Sequence, residues 1–237
     1  MSKFRWKRPA KAHLLVLNFK LFMKTLVIFD LDGTLLNTID DLAFSANYAL
    51  QTLGYPTHDA TTIRSFVGNG INKLLERSLP EGEKSHDNIM RMRSVFIPYY
   101  DEHNADFSAP YEGVVELLST LQSKGIKLAV ASNKYQAATE KLVAHYFPDI
   151  NFVKVLGQRD EVPIKPNPAI VFDIVKAACV SKSDVLYVGD SGVDMQTAQN
   201  AGVDAVGVTW GFRPKLELQA YPSLGLIDKA LELVRYV

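Results

Sequence analysis

Two aspartates two residues apart, Asp30 and Asp32, follow the apolar run Leu26-Val27-Ile28-Phe29 and lead into Gly33-Thr34. The run is rich in β-branched and aromatic residues and stops at a turn signal, which predicts a buried strand. Carboxylates at the carboxyl end of such a strand stand where open α/β sheets bind ligands. An aspartate there can attack phosphorus, as carboxylates do in aspartyl-phosphate chemistry. A second carboxylate beside it can carry the proton that a leaving group needs. Gly33 permits the sharp turn. A lone pair of this kind more often serves a turn, since aspartate does so readily, and the remaining polar groups decide between the two readings.

Three further groups fall after predicted strands. Ser132-Asn133 follows a second strand and offers a hydroxyl and backbone N–H groups to phosphate oxygens. Lys165, in Ile164-Lys165-Pro166-Asn167-Pro168, follows a third, and its ammonium can neutralise both a carboxylate and a phosphate. Gly189-Asp190-Ser191-Gly192-Val193-Asp194 follows a fourth, and its carboxylates suit a hard cation that prefers oxygen ligands, most simply Mg²⁺. Each alone has a plain alternative as a helix cap, a solvated lysine or a turn. Together they interlock. Carboxylates gathered in one cleft raise one another's pKa, and a divalent cation with a lysine relieves that repulsion. Phosphoryl transfer needs mainly positioning and charge neutralisation, which this set supplies.

The elements that must position these groups alternate between short apolar strands and amphipathic helices, the pattern of a parallel α/β sheet. Five strands are predicted: 26–29, 126–131, 152–156, 185–188 and 205–209. A helix over 112–124 carries Val114, Leu117, Leu118 and Leu121 on one face and ends at Gly125. Asn167 is the expected N-cap of a helix that starts with Pro168 and runs through Ala178. About 95 residues separate Asp30 from the second strand, whereas one crossover needs about 30. The excess reads as a helical insertion over 38–110. Its first helix carries the stripe from Ile39 to Leu53, with Thr38 and Asp41 suited to a capping box and Gly54 closing it. A later stripe holds Ile89, Met92, Phe96 and Tyr99, and Pro98 is expected to kink or end that helix. Between them lies the glycine loop Gly68-Asn69-Gly70.

In order, Asp30 to Thr34, Ser132, Lys165 and Gly189 to Asp194 resemble the four motifs of the haloacid dehalogenase-like hydrolase superfamily, over Met23 to about Trp210. The resemblance implies a Rossmann-like parallel sheet core with an inserted helical cap. Residues 23–37 and 111–237 then form the core and 38–110 the cap. It implies that Asp30 is the nucleophile and Asp32 the general acid/base. Mg²⁺ is held by Asp30, the Asp32 backbone carbonyl and Asp190, with Asp194 in support. Ser132, Asn133 and Lys165 bind the phosphoryl group, and Thr34 joins them and steadies the loop. Gly68-Asn69-Gly70 is similar to the cap loop of phosphoglycolate phosphatases, and Val208 to Phe212 to their late strand and turn. The substrate expected is a small phosphorylated metabolite, 2-phosphoglycolate first, read by that loop with Arg64, Lys73 or Arg77 as partners for its carboxylate. Asn37 departs from the acid many relatives carry there and bears on the hinge. A sugar-phosphate mutase or a pyrophosphatase uses the same core, and a catalytically silent binding module is the alternative of another class. Dehalogenation is disfavoured because Asp32 is present. Phosphonate hydrolysis needs a Schiff-base lysine in the cap, and nothing marks Lys73 as one.

Composition agrees with a soluble globular chain: 237 residues, 47% hydrophobic, 22% charged and net charge +0. Residues 1–22 hold six basic residues and no acid, and the remainder carries a net charge of −6. A broad nucleic-acid surface is therefore not expected. No apolar run approaches the roughly 18 residues of a membrane span. The basic start reads as an extension outside the fold, with Met23 the natural beginning of the first strand. The single cysteine, Cys179, excludes a disulfide framework and is expected to be a buried thiol. The cytoplasm is the expected compartment, and a monomer or homodimer the expected state. There is no G-x-x-x-x-G-K-[ST] loop, and the five histidines show no metal-ligand spacing.

Overall fold

The computed structural model describes residues 24–237. The expected extension over 1–22 lies outside the described residues.

Strand β1 (Leu26–Phe29) is the centre of a six-stranded sheet. After it come the short β2 (Leu36–Asn37), helices α1 (Ile39–Thr52), α2 (Ala60–Phe66), α3 (Ile71–Ser78) and α4 (His86–His103), and the short β3 (Ala109–Pro110). Then follow α5 (Val114–Ser123), β4 (Lys127–Tyr135), α6 (Gln136–Tyr146), β5 (Phe152–Gln158), α7 (Ala169–Ala178), β6 (Val185–Gly189), α8 (Gly192–Ala201), β7 (Asp204–Val208), α9 (Lys215–Gln219) and β8 (Gly225–Ile227). The sheet order is β5-β4-β1-β6-β7-β8, with every neighbouring pair parallel. The chain leaves β1 to one side for β4 and β5, then returns to the other side for β6, β7 and β8. The strand order reverses at β1, so the crevice for a ligand opens at its carboxyl end.

The two faces of the sheet follow the period of two along each strand. Val27 and Phe29 pack with Val130, Val188 and α5 on one face. Leu26 and Ile28 pack with Ala131, Tyr187, α7 and α8 on the other. All four residues of β1 are buried, as expected for a parallel strand covered on both sides. Each such side chain contributes roughly 1.5–3 kcal/mol, which fixes β1 and the aspartate that follows it.

Helices α1 to α4 build a third core around Leu50, Ile63, Leu75, Met92 and Phe96. This insertion leaves and rejoins the rest of the chain through β2 and β3, which pair antiparallel as Leu36 with Pro110 and Asn37 with Ala109.

Several local expectations need correction. Thr38 makes no capping bond. Its hydroxyl donates to Asp32 Oδ1 at 2.7 Å. The Asp41 carboxylate accepts from the N–H and hydroxyl of Ser108, at 2.8 and 2.6 Å, so it ties the start of α1 to the returning segment. Pro98 lies inside α4, which continues to His103 because Met92, Phe96 and Tyr100 on its buried face outweigh one missing hydrogen bond. Tyr100, rather than Tyr99, belongs to that face; Tyr99 stacks on Tyr48 with ring centroids 3.9 Å apart. Pro168 is itself the cap of α7, and Asn167 Oδ1 accepts from Ala169 N–H at 3.0 Å. Cys179 is exposed, because it closes α7 in a left-handed turn, off the buried face of that helix. The sixth strand, β8, is only three residues long, too short to show a period.

Candidate active site

Asp30 continues the β1 ladder, its N–H donating to Val188 O at 2.9 Å, so its carboxylate projects at the strand end. Lys165 reaches it from the loop after β5. The ammonium donates to Asp30 Oδ1 at 2.8 Å, Asp194 Oδ1 at 2.8 Å and Ala131 O at 2.9 Å, which uses all three donors. Asn133 holds that loop in place. Its Oδ1 accepts from Lys165 N–H at 2.8 Å, and its Nδ2 donates to Lys165 O at 3.0 Å and to Gly68 O at 2.9 Å. Ser132 stands beside it, its Oγ accepting from Lys134 N–H at 3.2 Å.

Asp190 and Asp194 arrive from the end of β6 and the start of α8. Ser191 and Asp194 form a capping box, with Asp194 Oδ2 accepting from the Ser191 N–H and hydroxyl at 3.1 and 2.6 Å. Asp190 Oδ2 accepts from Phe212 N–H at 2.6 Å, and Thr34 Oγ1 faces Asp190 Oδ1 at 3.4 Å. Two glycines press against Asp190. A Cβ on Gly33 would lie 2.4 Å from its Oδ2, and one on Gly211 would lie 2.2 Å from its Cβ. Only a residue without a side chain fits either position.

Carboxylate oxygens of Asp30, Asp190 and Asp194 lie within 4.8 Å of one another, and all three residues are buried. Burial first, and then the Asp194 charge, push Asp30 up to about 7 in spite of Lys165. Burial, Asp194 and Asp30 hold Asp190 well above the usual carboxylate range. Burial alone would discharge Lys165, but Asp194 and Asp30 outweigh it and keep the ammonium firmly charged. Three buried carboxylates with a single lysine among them make a hard oxygen donor set short of positive charge, which fits a divalent cation.

Asp32 stands outside this trio. Its Oδ1 accepts from Thr38 and Lys134, and its Oδ2 from Lys134 at 3.0 Å. Lys134 was not singled out above. Its signal was available, a lysine two places beyond Ser132 in the same motif, but β4 extends through Tyr135, four residues past the expected end.

A cavity of about 60 Å³ opens over Asp30, Asp32, Ser132, Asn133, Lys165 and Asp190. The insertion supplies its far wall through Leu42, Val67, Ile71, Leu74 and Phe96. Gly68 and Gly70 line it, both at positive φ. Asn69 does not; its Oδ1 accepts from Arg77 at 2.9 Å. The cations expected to face the substrate are engaged elsewhere. Arg77 also donates to Phe66 O, Lys73 pairs with Glu76, and Arg64 donates to Gly211 O. Arg213 answers from the other side, donating to the carbonyls of Arg64, Ser65 and Val67. Insertion and sheet are thus joined by two arginines running in opposite directions.

The profile of the haloacid dehalogenase-like hydrolase family matches residues 27–208. A phosphoglycolate phosphatase of Vibrio parahaemolyticus is 33% identical over 90% of this chain and 95% of its own length. One from Haemophilus influenzae is 35% identical over 79% of this chain and 86% of its own. The solved structure of a predicted phosphoglycolate phosphatase from Haemophilus somnus superimposes with a TM-score of 0.83 at 29% identity, over 90% of this chain and 97% of that one.

Proposed function

This chain belongs to the haloacid dehalogenase-like hydrolase family, and from that premise we propose that it is a phosphatase acting on a small phosphate monoester, 2-phosphoglycolate first. The observation that carries the reading is the Asp30 carboxylate at the end of β1, paired with buried Lys165 at 2.8 Å, in a small cavity with Asp32 on its rim. The substrate is suggested by relatives such as the Vibrio phosphoglycolate phosphatase.

In this reading Asp30 attacks phosphorus, the bond from phosphorus to the ester oxygen breaks, and Asp32 gives that oxygen its proton. Water then attacks the aspartyl phosphate, Asp32 takes its proton, and inorganic phosphate leaves with Asp30 restored. Ser132 and the backbone N–H groups after it hold the phosphoryl oxygens; Lys165, its donors taken by Asp30, Asp194 and Ala131, lends its positive charge beside Asp30, and the Thr34 hydroxyl, turned to Asp190, steadies the loop. The Asn133 amide has its bonds already, so its part is to fix the Lys165 loop. Asp30, the Asp32 carbonyl and Asp190 would hold Mg²⁺, whose charge would neutralise the phosphate as it is transferred. Asp194, occupied by Lys165 and Ser191, supports from behind. Helices α1 to α4 serve as the cap that excludes water, with Gly68 and Gly70 as its closest backbone. The test is release of inorganic phosphate from 2-phosphoglycolate with Mg²⁺ and with excess chelator. Release that persists unchanged in chelator removes the metal from this reading, and none under either condition removes the activity.

A further inference from the structure

We infer that Lys134 determines specificity, its ammonium binding an anionic group, a carboxylate, on the leaving-group side of the substrate. This rests on the phosphatase reading above and names the residue that recognises the leaving group.

Among the described residues, three cations line the cavity: Lys134, Lys165 and Arg213. Lys165 has spent its donors on Asp30, Asp194 and Ala131. Arg213 is turned to the carbonyls that end α2 and to Glu217, which hold its guanidinium at the junction with the insertion. Lys134 differs. Its side chain is 4% exposed, its ammonium bonds to the two oxygens of Asp32 and to nothing else, and it lies 4.9 Å from the centre of the buried Tyr100 ring. An ammonium has three donors, so one remains for a ligand in a site where water competes poorly.

The span also fits. An ester oxygen that takes a proton from Asp32 lies a hydrogen bond away from that carboxylate, and Lys134 Nζ is 2.9 Å from it. The ester oxygen therefore comes within about 6 Å of the ammonium. A carboxylate one carbon beyond the ester oxygen bridges that gap. Apart from the unpartnered Tyr100 hydroxyl, the side chains on the remaining wall from the insertion are apolar and give a polyol few partners. The substrate class is thus a short phosphate monoester with a carboxylate on its leaving group.

The experiment compares 2-phosphoglycolate with ethyl phosphate, where a methyl replaces the carboxylate, and with phosphoethanolamine, where the terminal group is cationic. The protein as it stands should favour the carboxylated ester over ethyl phosphate by roughly ten- to a hundredfold in kcat/KM, the size of a hydrogen bond to a charged group, and should turn over the cationic ester least. Lys134→Met should erase most of that preference, mainly through KM for the carboxylated ester, because the carboxylate is bound before and during the reaction. Lys134→Arg should restore part of it. Equal losses on all three esters would mean that Lys134 only positions Asp32, and would overturn the inference. Should Lys134→Met fail to fold, the unmodified protein decides, since equal turnover of 2-phosphoglycolate and ethyl phosphate overturns the inference and leaves the phosphatase reading standing. No turnover of any ester overturns both.

Discussion

Asp30 and Asp32 leave the same strand end for different neighbours, and the tasks proposed for them differ accordingly. Asp30 lies against Lys165 and the carboxylates of Asp190 and Asp194. Asp32 is held by Thr38 and Lys134, away from them. Asp30→Asn keeps the shape and removes the proposed nucleophile, so turnover should vanish while circular dichroism and the melting temperature stay close to those of the parent. Asp32→Asn should lower kcat by ~10²–10⁴-fold through the lost proton transfer, and single-turnover assays would check that the loss is in chemistry. The glycines make a separate claim. Gly211→Ala drives a Cβ into Asp190, so the Mg²⁺ concentration for half-maximal activity should rise at least roughly tenfold, equivalent to about 1.4 kcal/mol of ion binding. An unchanged Mg²⁺ titration would show that Asp190 does not have to hold that position.

At the scale of elements, the junction between insertion and sheet rests on the opposed arginines. Arg213→Ala leaves the carbonyls of Arg64, Ser65 and Val67 without their partner. Each such bond contributes about 0.5–1.5 kcal/mol, so α2 should exchange its amide hydrogens faster while β1, β4 and β6 keep theirs. Uniform acceleration across the molecule would instead mean that insertion and sheet unfold as one unit. Neither arginine announces this in the sequence, where Arg64 reads as a partner for the substrate carboxylate and Arg213 carries no signal, because the contact joins residues about 150 positions apart through backbone carbonyls, which carry no residue signature. The parallel sheet was more legible. Leu26 to Phe29 and Val185 to Val188 are continuous apolar runs ended by glycine or aspartate, and a run buried on both faces looks like that wherever it occurs. The polar groups after those runs were legible for the same reason, since they mark strand ends. Thr38 and Asp41 were misread because side chains that suit a helix cap locally were taken by distant partners, Asp32 and Ser108. Lys134 was missed because its strand outruns its apolar residues, and β8 because three residues carry no period.

The molecule as a whole stores unbalanced charge at one end of its sheet, and this should show in stability. Burial raises Asp30 to about 7 from an ordinary 3.8 and moves Asp190 in the same direction. A carboxyl raised by folding stabilises the fold fully below its unfolded value and ceases to do so as pH climbs through the folded one. In chelator, the melting temperature should therefore fall between about pH 4 and pH 7 beyond any drift of the bulk protein. With Mg²⁺ the decline should flatten, because the cation takes the place of the protons. Calorimetry across that range checks both, and a metal-free melting temperature that rises steadily with pH would contradict the charge assignment. Among the described residues no helix is long and apolar enough to cross a membrane. A different consequence follows from the two-residue pairing of β2 with β3. Leu36 and Asn37 sit directly across from Pro110 and Ala109, so the chain enters and leaves the four-helix segment at one clasp, separate from the arginine contacts that hold it to the sheet. Its ends are near enough for a tight Asn-Gly turn to join Asn37 to Ala109. The shortened polypeptide would keep every strand of the main sheet, with its newly bared Ala138 and Phe212 patch made polar. Asp30 and Asp32 would face open solvent, and phosphorylated peptides too large for the present cavity could then reach them.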